Sequence, residues 1–208
     1  MEPFKVWNAV AVPFDEANVS TDYIIPARFL KTRRAKGYGR FLFHDRRFDA
    51  EGVEIGGFIL NRPPFRTSGI LVADENFGCG SAREGAVYAL ADFGIRCVIA
   101  PSFGDIFFNS CFTTGLLPIR LERDACRTLL AALEKTPGTP LTVDLPAQTI
   151  TGPGGLALAF VVDAMRKRNL LEGLDEVDQT LAASADAIAV FEQVPAGSIP
   201  GLVPRVPA

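Results

Sequence analysis

The 208 residues carry 21 Lys and Arg against 24 Asp and Glu, a formal net charge of −3, and 48% of them are apolar. That length fits one sizeable domain or one domain with an appendage, and the acidic balance argues against a dedicated nucleic-acid binder, which displays a basic excess. No apolar run reaches the ~20 residues of a membrane span. Met1-Glu-Pro-Phe-Lys lacks the basic-then-apolar layout of a secretory leader, so the chain reads as soluble and cytoplasmic, with no membrane partner.

Phe4-Lys-Val-Trp-Asn-Ala-Val-Ala-Val12 alternates as a strand does, and Pro13 is expected to close it. A polar loop precedes Thr21-Asp-Tyr-Ile-Ile-Pro-Ala-Arg-Phe-Leu, where Pro26 keeps Ile25 extended and allows a helical turn after it. Arg28, Lys31, Arg33, Arg34, Lys36 and Arg40 then gather positive charge, either as a solvated face or as a mobile basic loop that closes over an anion. The aromatic-rich 41–48 is a short helix or capping segment. It holds the only histidine, His44, which beside Asp45, Arg46 and Arg47 reads as a surface or hydrogen-bonded structural residue. Asn61-Arg-Pro-Pro-Phe65 is a turn.

Gly69-Ile-Leu-Val-Ala73 has the unbroken apolar character of a covered strand, and 82–93 carries apolar residues at helical spacing before Gly94. A strand at 95–100, a helix from the Pro101-Ser-Phe-Gly-Asp105 turn to about Gly115, and a strand at 116–121 follow. Strand, helix, strand, helix, strand over 69–121 implies a parallel crossover unit with right-handed connections. Beyond it come an amphipathic helix at 124–134, a strand pair at 141–145 and 149–150, and a strand at 156–162, on a sheet with one wet face. Helices are expected at 163–171 and 182–191. Residues 1–193 read as one domain, and 194–208, with four prolines, as a tail that is loose or packed on a partner.

Chemistry concentrates in Asp74-Glu-Asn-Phe-Gly-Cys-Gly-Ser-Ala-Arg-Glu-Gly85, the turn between covered strand and helix. Gly78 and Gly80 flank Cys79, so the backbone can turn sharply and approach a ligand. Ser81 is expected at the helix N-cap, where unpaired N–H groups favour an anion, and Arg83 adds a guanidinium able to grip a carboxylate. Ser81-Ala-Arg-Glu84 is equally a capping box, a structural role for the same hydroxyl. The four cysteines, Cys79, Cys97, Cys111 and Cys126, contain no C-x-x-C pair, so no metal centre of recognised spacing is expected in this chain.

Taken together, Thr21-Asp-Tyr-Ile-Ile-Pro-Ala-Arg-Phe-Leu, Asn76-Phe-Gly-Cys-Gly-Ser-Ala-Arg-Glu, Ile99-Ala-Pro-Ser-Phe-Gly-Asp-Ile-Phe, Gly115-Leu-Leu-Pro-Ile and Leu141-Thr-Val-Asp-Leu-Pro-Ala-Gln-Thr resemble the small-subunit family of 3-isopropylmalate dehydratase, in the aconitase superfamily. The blocks keep family order and run to about Asp175. The resemblance implies an α/β chain, the three-layer β/β/α swivelling domain, with the crossover unit at 69–121 and mixed strands around it. It implies a hydro-lyase subunit of leucine biosynthesis, active only with a large subunit that holds a [4Fe–4S] cluster, as heterodimer or heterotetramer. It also implies Ser81 as catalytic base, and Arg83, Arg28, Thr21, Asp22 and Gly80 as substrate-binding positions for a small dicarboxylate.

Two departures stand out. The family run continues Gly-Ser-Ser-Arg-Glu-His, whereas this chain has Ala82 and Gly85. Gly85 in the first helical turn costs about 1 kcal/mol relative to alanine, which points to close packing or a relaxed requirement. A related hydro-lyase acting on homoaconitate, 2-methylmalate or a dimethylmalate is one alternative, and a non-catalytic anion-binding module is another.

Overall fold

The computed structural model describes residues 1–34, 37–81 and 84–193. β1, Val6–Phe14, is the strand on which two half-sheets meet. Its first half pairs antiparallel with β5 (Pro140–Asp144), from Val6↔Asp144 to Val10↔Pro140. Its second half pairs parallel with β2 (Ile70–Ala73), from Ala11↔Ile70 to Phe14↔Ala73. Pro13 therefore does not end the strand, contrary to expectation. The Ala11 N–H reaches Thr139 O, and by alternation Pro13 turns its missing N–H to that same side, beyond the last β5 pair.

The seven strands lie in the order β4-β3-β2-β1-β5-β6-β7, with β3 at Cys97–Ala100, β4 at Leu117–Arg120, β6 at Thr149–Thr151 and β7 at Ala157–Ala159. β1 to β4 are mutually parallel and β5 to β7 are antiparallel. The crossover helices are α3 (Glu84–Phe93) and α4 (Asp105–Thr114), the latter stopped by Gly115 at φ 85° as its position suggested. Two single-turn helices precede them, α1 (Thr21–Ile24) and α2 (His44–Arg47). α5 (Arg123–Lys135) and α6 (Ala164–Glu172) follow, α6 capped by the Asp163 carboxylate, which accepts from the Arg166 N–H.

Alternation along the parallel strands explains the layering. Leu71, Ala73, Val98 and Ala100 face one core with Val87 and Leu90 of α3 and the aromatics Phe14, Phe43 and Phe58. Ile70, Val72, Cys97 and Ile99 face a second core, shared with Leu129, Leu130 and Leu133 of α5 and with Leu141, Val143, Ile150 and Phe160 of the antiparallel half. Because one core joins both half-sheets, the sheet curls over itself, giving the β/β/α layering. Parallel strands covered on both faces lose the alternating polarity of a wet sheet, which is why they read as continuous apolar runs.

A second unit begins at Leu174. It contains α7, Glu176–Glu192, which starts six residues before the expected 182 because Asp175 and Asp178 form a capping box. Ser184 departs from helical geometry within it. Val177, Leu181, Val190 and Phe191 are exposed on it. The expected tail, 194–208, lies outside the described residues.

Candidate active site

The loop 74–81 leaves the carboxyl end of β2 and is held from two sides. On one side Phe77 pairs with Phe103: the Phe77 N–H donates to Ser102 O at 3.1 Å and the Gly104 N–H to Phe77 O at 2.9 Å. Ser102 Oγ accepts from the Asn76 N–H at 2.8 Å. On the other side Ser20 pairs with Cys79. The Gly78 N–H donates to Val19 O at 2.7 Å, and the Thr21 N–H to Cys79 O at 2.9 Å. Asn76, Gly78 and Gly80 sit at φ 60°, 72° and 90°. Three left-handed residues within five need glycine or asparagine, and that is what the sequence provides.

These contacts bring Thr21, Gly80 and Ser81 together. Thr21 is buried, and its hydroxyl donates to the Ser81 carbonyl at 2.7 Å. A Cβ on Gly80 would lie 3.7 Å from Ser20 Cβ and 3.9 Å from Thr21 Oγ1, so α1 and the loop are in direct apposition. Ser81 itself is exposed, as is the neighbouring Asp22. Ser20 Oγ accepts from the Tyr23 N–H at 3.2 Å, capping the single turn that presents Thr21. α3 is described from Glu84. Ala82 and Arg83, on which the capping geometry of Ser81 and the expected guanidinium grip depend, lie outside the described residues.

Arg28 is engaged rather than free. Its two terminal nitrogens donate to both oxygens of Asp45, one at 2.9 Å, and its guanidinium lies 4.5 Å from the Phe29 ring centroid. His44 stands beside the same pair: its Nδ1 is 3.4 Å from Asp45 Oδ1, and its ring packs on Phe29 and Phe48. The hydrogen bond from Arg28 holds the Asp45 carboxyl below the usual carboxylate range, with a smaller contribution from His44. A depressed folded-state value means that the stabilisation is fully present above the ordinary carboxylate value of about 3.9 and is lost as pH falls through the lower folded value. The pair is therefore expected to stay closed from pH 8 to 5. A carbon-detected NMR titration of Asp45 should give a lower midpoint in the wild type than in Arg28→Gln.

Cys97, Cys111 and Cys126 are buried, and burial pushes their thiols up, that of Cys126 to about 11. Cys79 is half-buried in the loop. Among the described residues no three His, Cys, Asp or Glu side chains converge as metal ligands. The described residues thus offer no set of donors of the kind that holds an iron–sulfur cluster. Also among the described residues, no helix is long and apolar enough to cross a membrane.

The sequence did not reveal the crossing of 76–79 by 102–104 or the Asp45 partner of Arg28. Both are long-range. Gly104 is the glycine that the crossing requires, since a Cβ there would lie 2.5 Å from Gly78 O.

The parallel strands and the glycine-rich loop that leads to Ser81 fall within residues 1–124, which match the family model of the aconitase C-terminal domain. A second model, LeuD_N, matches 127–164. The small subunit of 3-isopropylmalate dehydratase from Gluconacetobacter diazotrophicus is 51% identical over 192 residues, 92% of each chain. That from Paramagnetospirillum magneticum is 49% identical over 97% of this chain and all of its own. The solved 3-isopropylmalate dehydratase (LeuD) of Methanocaldococcus jannaschii superposes with a TM-score of 0.63 at 26% identity, covering 90% of this chain and 99% of that one. The chain belongs to the 3-isopropylmalate dehydratase small-subunit family.

Proposed function

We propose that this chain is one half of a hydro-lyase that converts 2-isopropylmalate into 3-isopropylmalate, removing water to form an alkene and adding it back with the opposite orientation, in the leucine pathway of the cytoplasm. The observation that carries the reading is the exposed Ser81 on a loop whose backbone is fixed by the buried Thr21. The other half is a large subunit, to which the [4Fe–4S] cluster belongs.

Proton removal beside a carboxylate leaves a high-energy carbanion, so a base and positive charge must meet it together. Ser81 Oγ, as alkoxide, takes the proton from the carbon next to the substrate carboxylate. The electron pair left behind forms the double bond as hydroxide leaves the adjacent carbon for the Lewis acid that the cluster of the large subunit would supply. Arg83 grips one carboxylate and Arg28 the other, after exchanging Asp45 for substrate. Asp22 and the Gly80 backbone line the same site, and Thr21 acts through the Ser81 carbonyl.

Thr21→Val keeps the shape and deletes the donor. The expected result is about 1 kcal/mol of stability lost, a thermal midpoint about 2–4 °C lower, and turnover reduced about tenfold or more through misplacement of Ser81. Calorimetry and steady-state kinetics check both. The reading as a whole is tested by assembling the chain with its large subunit and following alkene absorbance with 2-isopropylmalate, homoaconitate, 2-methylmalate and dimethylmalate. The first should dominate kcat/KM; a preference for another member of the panel would replace it.

A further inference from the structure

Gly85 is buried in the first turn of α3, four residues after Ser81. A Cβ there would run into Leu30 Cδ2 and would lie 3.5 Å from Tyr38 Cε2 and 3.9 Å from Ile25 Cγ2. Leu30 thus occupies the space a side chain at 85 would take. The glycine that weakens the helix turn is a socket.

The socket is one of two anchors on the same short stretch. Residues 21–30 leave the first anchor, where the Thr21 hydroxyl meets the Ser81 carbonyl, and return to the second, where Leu30 meets Gly85. Arg28 is suspended between them. Further bonds hold the chain after Leu30 to the same face of α3, since positions 85, 88 and 92 are spaced i, i+3, i+7. The Arg34 guanidinium lies 3.8 Å from the Tyr88 ring centroid. Asp92 accepts from the Tyr38 N–H at 2.8 Å and lies 3.4 Å from an Arg34 nitrogen. The Tyr38 hydroxyl donates to Thr32 O at 2.7 Å and lies 3.3 Å from Leu30 O.

We infer that Gly85 is a positioning residue for substrate binding: having no side chain, it seats Leu30 and so fixes the cation-bearing segment 28–34 against the Ser81 loop. This rests on the reading of Arg28 as a carboxylate ligand given above. The clash that a larger residue at 85 creates is with the mobile end of Leu30, so it is relieved by displacing that segment and leaves the core intact.

The test uses Gly85→Ala, Gly85→Val and Leu30→Ala in the complex with the large subunit. Alanine is the better helix former by about 1 kcal/mol, so the thermal midpoint of Gly85→Ala should hold or rise. KM for 2-isopropylmalate should rise about fivefold with kcat within about twofold, and more so for valine. Trypsin cleavage after Lys31 and Arg33 should quicken in step. Gly85→Ala combined with Leu30→Ala should be no worse than the poorer single variant, because the new methyl fills the vacated space.

Unchanged KM in both Gly85 variants overturns the inference. So does a raised KM without faster cleavage, which would locate the effect elsewhere. Faster cleavage with unchanged KM also overturns it, cutting the link between seating and substrate while leaving the role of Ser81 standing. Failure of the underlying reading would show itself differently, as turnover that does not depend on Ser81.

Discussion

Ser81→Ala is expected to lower kcat of the assembled enzyme by about 10²–10⁴-fold, the usual contribution of a positioned general base, with KM and thermal midpoint near wild type. The substitution deletes one oxygen from an exposed residue and leaves the backbone anchor untouched, because Thr21 donates to the main-chain carbonyl of Ser81 and not to its side chain. A serine that served only as a helix cap would give the converse: about 1 kcal/mol of stability lost and turnover retained. Alkene absorbance under saturating substrate, with calorimetry on the same samples, separates the two.

Gly78→Ala is expected to be the most destabilising single change in the loop. Gly78 has φ 72°, which costs an alanine about 1–2 kcal/mol. A Cβ there would also run into Cγ and Cδ1 of Phe107 and lie 2.7 Å from its Cβ. Those are the inner atoms of the side chain, so rotating the ring does not relieve the clash. Phe107 is itself fixed, 5.5 Å from the Phe77 ring and stacked 6.3 Å from Phe103. Overpacking adds about 1–3 kcal/mol. The total, about 3 kcal/mol, should lower the thermal midpoint by about 10 °C. A midpoint within about 1 °C of wild type would mean that the crossing of 76–79 by 102–104 is not built as described.

The parallel crossover was legible because its strands are covered on both faces and its helices end at glycines, so both period and punctuation survive in the sequence. Pro13 misled because a proline ends a strand only where its missing N–H is needed, and the partner switch on β1 is a tertiary event. The single turn α1 is too short to show a period, although Ser20 at its N-cap was a readable sign. α7 begins early on an Asp175/Asp178 box that uses aspartate where the commoner pattern has glutamate. In the site, the left-handed turns at Gly78 and Gly80 could be read from residue types. The partners of the basic segment could not: Arg28 and Asp45 are 17 positions apart and Arg34 and Asp92 are 58 apart, and pairing over such separations is decided by the fold.

Exchange of the substrate methylene hydrogen with solvent deuterium, followed by NMR in the assembled complex, asks most directly whether Ser81 moves the proton. Wild type should incorporate deuterium into 2-isopropylmalate, and Ser81→Ala should bind the substrate and incorporate none. Deuterium appearing in the variant at the wild-type rate would assign the base to another group.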